Sequence, residues 1–553
     1  MRTDIELGVT ALQAVPALLA IDVRIRRGAR RRDHGGHEVI HGVSFTVPTG
    51  CVVGLIGPSG SGKTTLLRAI VGVQSGVDGD LRVLGHAAGD ACLRRRVGYA
   101  TQAASVYGDL TVRENLRYFA ATVRPGRPEA PDSSGWAPDH LDPLLAQVGL
   151  TDQADQLVER LSGGQRSRVS LAAAMIGGTD VLVLDEPTVG ADPLLRRQLW
   201  ADLRRLARGG MTILVSSHVM DEAARCDRLL LLYDGRLLAQ GTPSDLLAAT
   251  DCHDLDEGFV RLVRRSTGGS ANPARLPEPT EPEPTGSSGN AVHRAHPSAT
   301  APCPRPRPVD VRRTGATAGR VLRQLGRDRR TLALVLLLPP TLLLTLRLLF
   351  HHSPTTFGRI GPALLGIFPL MTMFFVTSVA MLRERTSGTL DRLLTTPVGR
   401  GDLLVGYGLA FAVPAAVQAA LATALTVGPL GLTVRGSAAM LFLAAILSSF
   451  LGTSLGLWMS AFARTEFEAV QFIPAALIPQ FMLCGVLVPR RTMLPVLDTL
   501  STLMPMTYVV DAMAQLSESP ILDGRLARDF AIVIGCTLAA LGLAAITLRR
   551  QHP

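Results

Sequence analysis

Between residues 331 and 547 the chain repeats a pattern that few folds can absorb: long apolar stretches nearly free of charge. A helix rises about 1.5 Å per residue, so about 20 apolar residues reach across a bilayer, where no water satisfies the backbone. Stretches of that length lie at 331–350, 361–382, 402–427, 437–460, 469–489 and 529–547. Buried helices of a large soluble protein are the alternative reading, and the number of runs and the scarcity of internal charge argue against it.

Charge placement supports the same reading. The formal net charge of +10 could suit nucleic acid, but the arginines crowd around the apolar runs, so a membrane surface explains them better and no nucleic-acid partner is expected. A dense arginine cluster precedes the first run, and Arg383, Arg385 and Arg392 follow the second, whereas the short opposite loops carry Arg359 and Arg435. Positive charge marks the cytosolic side, and an even number of spans then puts both termini there.

Residues 1–265 read as a separate α/β domain. The piece ALQAVPALLA near the start reads as a lead into the first strand rather than as a signal peptide. Ten of the 36 prolines fall within 271–308, so 266–318 is expected to be an extended linker. Next comes GRVLRQLGRDRR (319–330), where Val321, Leu322 and Leu325 sit among arginines. It suits either a short connecting helix in the cytosolic interface or a solvated helix. The membrane domain is expected over 331–553.

Within the α/β domain, Gly57–Thr65 reads GPSGSGKTT and holds Lys63, the only lysine among 56 basic residues. G-x-x-x-x-G-K-[ST] is the phosphate-cradling P-loop pattern, in which backbone N–H groups and a helix N-terminus face the anion. An ammonium on a thin stem reaches into a closed loop where a wide guanidinium does not fit. The preceding CVVGLI reads as a buried strand, and TLLRAIVGV as the following helix. Thr64 would offer its hydroxyl to Mg²⁺.

Further stretches carry chemistry. VLVLDEP (181–187) is a buried strand ending in Asp185, suited to Mg²⁺ through water, and Glu186, placed to polarise an attacking water. LSGGQ (161–165) opens a helix with Ser162 as a natural N-cap, and its glycines allow close approach to a phosphate. His218 and Gln102 each follow an apolar strand, and Asp192 lies just past the acids.

In this order the stretches resemble the nucleotide-binding domain of an ABC transporter: Walker A at 57–64, Q-loop at Gln102, signature at 161–165, Walker B at 181–186, D-loop at 189–192 and switch His218. The resemblance implies ATP with Mg²⁺, and two such domains facing head to tail. Each ATP would lie between Gly57, Pro58, Ser59, Gly60, Ser61, Gly62, Lys63, Thr64 and Thr65 of one chain and Ser162, Gly163, Gly164 and Gln165 of the other. Asp192 stands nearby. Glu186 would act as general base or orient water, His218 would steady the γ-phosphate, and Thr64, Gln102 and Asp185 would attend the metal. With one set of motifs, the chain needs a second copy or a related half-transporter. One departure is that no aromatic precedes Phe45, so an arginine from 27–32 is the candidate to stack on adenine. The insert 124–138 is expected to be a loop.

The membrane half resembles the permeases of daunorubicin-resistance and White-like (G-subfamily) exporters in two stretches. RERTSGTLDRLLTTPV (383–398) is similar to the cytosolic segment that rests on the ATPase, which makes Glu384 and Arg385 coupling candidates; a solvated charged turn is the alternative for each. The stretch 472–495, followed by LMPMTYVVDAM, resembles the family's fifth span and external re-entrant helices. The expectation is an α/β P-loop ATPase followed by six membrane helices. It would export small amphipathic molecules across a bacterial cell membrane, ATPase and termini in the cytosol. Export of a lipid or polymer precursor and a non-transporting membrane-anchored ATPase are the alternatives.

Overall fold

The computed structural model describes residues 15–27, 37–123, 141–190, 192–267, 309–432, 434–463, 465–519 and 523–550. The arginines expected to stack on adenine beyond Arg27, the 124–138 insert and the 271–308 linker lie outside these residues.

The α/β domain contains ten strands: β1 (Leu18–Arg27), β2 (His37–Val47), β3 (Val52–Ile56), β4 (Val77–Val83), β5 (His86–Ala87), β6 (Val97–Ala100), β7 (Val181–Asp185), β8 (Thr212–Ser217), β9 (Arg228–Tyr233) and β10 (Arg236–Gly241). They form an antiparallel sheet of order β2-β1-β4-β5 and a larger sheet of order β10-β9-β3-β8-β7-β6. In the larger sheet β9, β3, β8, β7 and β6 run parallel, and β10 adds an antiparallel edge. Every residue of β3, β7 and β8 is buried. Apolar runs such as VVGLI in β3 and VLVL in β7 are what a parallel strand covered on both faces needs. The register pairs Ile56 with Ser217 and Asp185 with Ser216, so adjacent strands end at one level. That shared carboxyl edge is where parallel α/β sheets place their ligands.

The C-terminal half is helical. Among the described residues, five helices are long and apolar enough to cross a membrane: Arg329–Leu349, Thr355–Thr386, Arg400–Val427, Ala438–Met459 and Gly524–Thr547. The span expected at 469–489 falls on the 18-residue helix Glu466–Leu483, which begins three residues earlier and ends six residues sooner than the hydropathy run. Pro474 and Pro479 lie inside it, each removing one bond from its ladder, and the chain turns at Gly485 (φ 93°). Helices Pro495–Thr502 and Pro505–Glu518 then lead back to the last span.

Small residues set the helix packing. A Cβ at Gly452 would strike the carbonyl of Leu370, and one at Gly456 the hydroxyl of Thr377. Ser448 Oγ donates to the Gly366 carbonyl at 2.6 Å, so the second and fourth apolar helices meet backbone to backbone.

The connecting helix starts earlier than 319, running from Val311 to Arg327, and Asp328 then caps the first apolar helix by accepting from Thr331 N at 3.1 Å. Its buried face is Arg313, Thr314, Thr317, Arg320 and Val321, more polar than the Val321/Leu322/Leu325 stripe suggests. The reason is its neighbour: Gly406 of the third apolar helix leaves room for Thr317, and Arg313 donates to the Pro397 carbonyl at 2.7 Å.

Candidate nucleotide site and its link to the membrane helices

Gly57–Thr65 leaves β3 and closes over the start of the helix Lys63–Ile70. Gly60 and Gly62 have φ of 84° and 101°, values a side chain avoids. Lys63 is 5% exposed, and its Nζ donates to the carbonyls of Gly57 at 2.8 Å and Pro58 at 3.0 Å. Burial lowers its pKa, opposed by Glu186 and Asp185. The ammonium thus sits inside the loop, as the single-lysine pattern suggested.

The β7 acids meet it there. Asp185 is buried and accepts from Ser216 Oγ at 2.6 Å; burial raises its pKa, and the hydroxyls of Ser216 and Thr64 hold it back. Glu186 stands at φ 47°, a left-handed backbone that costs about 1–3 kcal/mol outside glycine. Its amide donates to Ser216 Oγ at 2.9 Å. The turn brings its carboxylate within 3.7 Å of Lys63 Nζ, 3.2 Å of Gln102 Nε2 and 3.4 Å of His218 Nδ1. Lys63, Gln102, Glu186 and His218 therefore converge on one point.

This arrangement fits a nucleotide with a hard cation. Ser61 Oγ is buried inside the anion loop without a hydrogen-bond partner among the described residues. Thr64, Asp185 and Gln102 supply hydroxyl, carboxylate and amide oxygens, the donors Mg²⁺ takes.

The signature lies apart. Ser162 and Gln165 form a capping box at the start of the helix Gly163–Met175, with bonds of 3.3 and 3.0 Å. A Cβ on Gly163 would meet nothing within 4 Å, and Gly164 packs on Leu195. Asp192 caps the helix Pro193–Arg208, accepting from Leu195 N at 2.9 Å. Among the described residues, neither group bonds to the Lys63 cluster. Gln102 and Glu186 share the lining of a cavity of about 40 Å³ with Gly164 and Ser170.

The segment 383–398 ties this domain to the membrane helices. Glu384 is 7% exposed, accepts from Tyr107 of the α/β domain at 3.2 Å and from Thr389 at 2.6 Å, and pairs with Arg320 of the connecting helix. Arg320 is fully buried, donates to Tyr407 at 2.8 Å, and lies 4.3 Å from the Tyr107 ring centroid. Its pKa is raised: burial works against the charge, and Glu384 with the tyrosines outweighs it. Arg385 donates to the Ser460 carbonyl at 2.6 Å, at the end of the fourth apolar helix.

The short helix Thr389–Thr395 enters the ATPase itself. Arg392 is 2% exposed and donates to Ser170 O at 2.6 Å, Ser170 Oγ at 2.9 Å, and the carbonyls of Ala104 and Ser105 at 3.4 Å. Burial pushes its pKa down to about 9. One side chain thus touches both the Gln102 loop and the signature helix. Asp391 meets Arg68 of the P-loop helix at 3.2 Å. Ser216, Arg320, Arg392 and Tyr107 escape sequence reading because their partners lie far along the chain; two serines before a late histidine were the one local signal for Ser216.

Comparison with known proteins agrees with this division. The family model described as ABC transporter matches residues 40–189, and that described as ABC-2 type transporter matches 313–516. "Nod factor export ATP-binding protein I" of Paraburkholderia xenovorans (strain LB400) is 39% identical over 236 residues, 41% of this chain and 74% of that protein. "ABC transporter G family member 23" of Dictyostelium discoideum is 37% identical over 237 residues, 42% of this chain and 33% of that protein. "Probable multidrug ABC transporter ATP-binding protein YbhF" of Escherichia coli (strain K12) is 36% identical over 231 residues, 40% of this chain and 38% of that protein.

Proposed function

The chain belongs to the ABC transporters, with an ATPase domain joined to an ABC-2 type membrane region, and on that premise we propose that it exports small amphipathic molecules as a dimer. It binds nucleotide and hydrolyses ATP to drive transport. The observation that carries the dimer is the outward-facing signature: Ser162 and Gly163 are exposed and bond to no part of the Lys63 cluster. A second copy, or a related half, would supply that face to the ATP held by Lys63.

In this mechanism the P-loop amides and Lys63 bind the β- and γ-phosphates, and Ser61 gives its free hydroxyl to an oxygen. Thr64, Asp185 and Gln102 would hold Mg²⁺, which supplies charge neutralisation at the phosphates. Glu186 orients or deprotonates the attacking water, its carboxylate already set by its turned backbone. His218, beside it, steadies the γ-phosphate. Ser162, Gly163, Gly164 and Gln165 of the opposite chain, with Asp192, close the site and exclude water. Arg392 carries that closure to the membrane helices, because it grips the Gln102 loop and the signature helix together. With the helix Glu466–Leu483 counted as the sixth span, the number is even, and both termini and the ATPase lie in the cytosol of a bacterial cell.

The test is ATP hydrolysis by the purified chain in bilayers, wild type beside Glu186→Gln, against a panel of amphipathic compounds. Stimulation by one compound class, abolished in Glu186→Gln, is the expected result. Hydrolysis retained in Glu186→Gln overturns the site assignment, and a well-inserted but inactive wild type overturns the self-sufficient dimer.

A further inference from the structure

Behind His218 lies a buried carboxylate that neither nucleotide nor metal binding uses. Glu222 is 1% exposed, on the helical turn Met220–Ala223. Its Oε2 accepts from Ser217 Oγ at 2.7 Å, and that hydroxyl also accepts from Val219 N at 3.1 Å. Ser217 and Val219 flank His218, so the carboxylate fixes the backbone on both sides of the histidine through one hydroxyl. The Ser217 carbonyl, in turn, accepts from Gly57 N at 3.3 Å.

The other oxygen is unfinished. Glu222 Oε1 lies 3.6 Å from Arg196 Nε, and neither atom has a hydrogen-bond partner among the described residues. Burying a charge without its bonds is costly. Less than an ångström of approach would make this pair a charge-assisted hydrogen bond. Arg196 belongs to the helix Pro193–Arg208 that Asp192 caps, and the same helix reaches the segment again where Arg204 donates to the Arg225 carbonyl at 3.3 Å.

We infer that Glu222 is a positioning residue for His218: it fixes the histidine through Ser217, and Arg196 ties that fixing to the helix capped by Asp192. A small advance of that helix completes the Arg196–Glu222 bond and stiffens the turn that carries His218. The helix begins at the exposed D-loop face, so contact with the opposite ATPase is what would drive the advance. The inference rests on the proposed role of His218 at the γ-phosphate.

The test uses the full-length chain in lipid nanodiscs, comparing wild type with His218→Ala, Glu222→Gln, Ser217→Ala, Arg196→Met and the double variant His218→Ala/Glu222→Gln. Glu222→Gln keeps the shape and removes the charge. It is expected to lower kcat about tenfold, the worth of one such hydrogen bond, with KM for ATP within about twofold. In the His218→Ala background the same change should add nothing, because the residue it positions is gone. Ser217→Ala and Arg196→Met should lower kcat in the same way, and they decide the matter if Glu222→Gln does not fold. An unchanged kcat, a loss confined to KM, or losses that multiply in the double variant overturn the inference. A fully active His218→Ala overturns the histidine's role as well, whereas an inactive His218→Ala beside an active Glu222→Gln overturns the positioning alone.

Discussion

Replacing Glu384 by Gln changes one atom and should still loosen the joint between the two halves. Arg320 is fully buried, and its only carboxylate partner among the described residues is Glu384. Removing one member of a buried ion pair costs about 3–5 kcal/mol, because the other charge stays desolvated. Two features reduce the loss. Gln324 Oε1 accepts from Arg320 at 3.0 Å, and the rings of Tyr107, Tyr118 and Tyr407 lie 4.3, 5.2 and 5.3 Å from the guanidinium. The tyrosine faces favour the cation. The expected cost is therefore near the lower end, about 3 kcal/mol. Arg320→Met should cost a similar amount, since Glu384 keeps the Tyr107 and Thr389 hydroxyls but loses its cation. The double variant Arg320→Met/Glu384→Gln buries no charge at all, and should lie within about 1 kcal/mol of wild type. Melting of the purified protein, followed by tryptophan fluorescence at one scan rate, gives the ordering. Both single variants should melt below the double. A double variant that melts as low as the worse single would refute the reasoning, by showing that geometry rather than unpaired charge sets the cost.

Lys63→Arg should lower ATP-analogue affinity at least about tenfold despite conserving the charge, since Nζ sits between two loop carbonyls where a planar fork does not fit; equal affinity in a binding titration would count against the fit argument. Affinity should also depend on alkaline pH. Lys63 keeps its charge below its lowered pKa and loses it above, so binding holds near neutrality and weakens before pH 10.5, the ordinary lysine value, a trend Lys63→Ala should lack. Gly388→Ala places a side chain at φ 74° with its Cβ 2.9 Å from Ser105 Oγ, and should cost about 1–2 kcal/mol, read as a lower melting temperature together with weaker cargo stimulation of ATP hydrolysis. Gly452→Leu should separate the second and fourth apolar helices, and a melting temperature equal to wild type would contradict the backbone contact at Leu370.

Most of the nucleotide site was legible along the chain because its parts are local. The P-loop, the β7 acids and the capped signature helix each form within a few residues, by glycine conformation, strand burial and an N-cap serine. The fifth expected span is a helix whose end a hydropathy run cannot fix: the chain turns at Gly485, so the helix stops at Leu483 although the apolar run continues to 489. The connecting helix misled because an amphipathic pattern assumes water or lipid on one side, whereas Thr317 and Arg320 face protein.

Composition and spacing alone, then, establish an ATP-binding domain, a proline-rich break and a set of membrane helices, since phosphate cradling, chain stiffness and bilayer thickness each impose a local pattern on residues near one another. Only the tertiary structure decides which charges join the halves. Glu384 lies 277 residues from Tyr107 and 64 from Arg320, and Arg392 lies 222 from Ser170. A buried arginine is tolerated where folding brings it a carboxylate, a ring or a row of carbonyls, and nothing in its own neighbourhood of the chain records which of these it will meet.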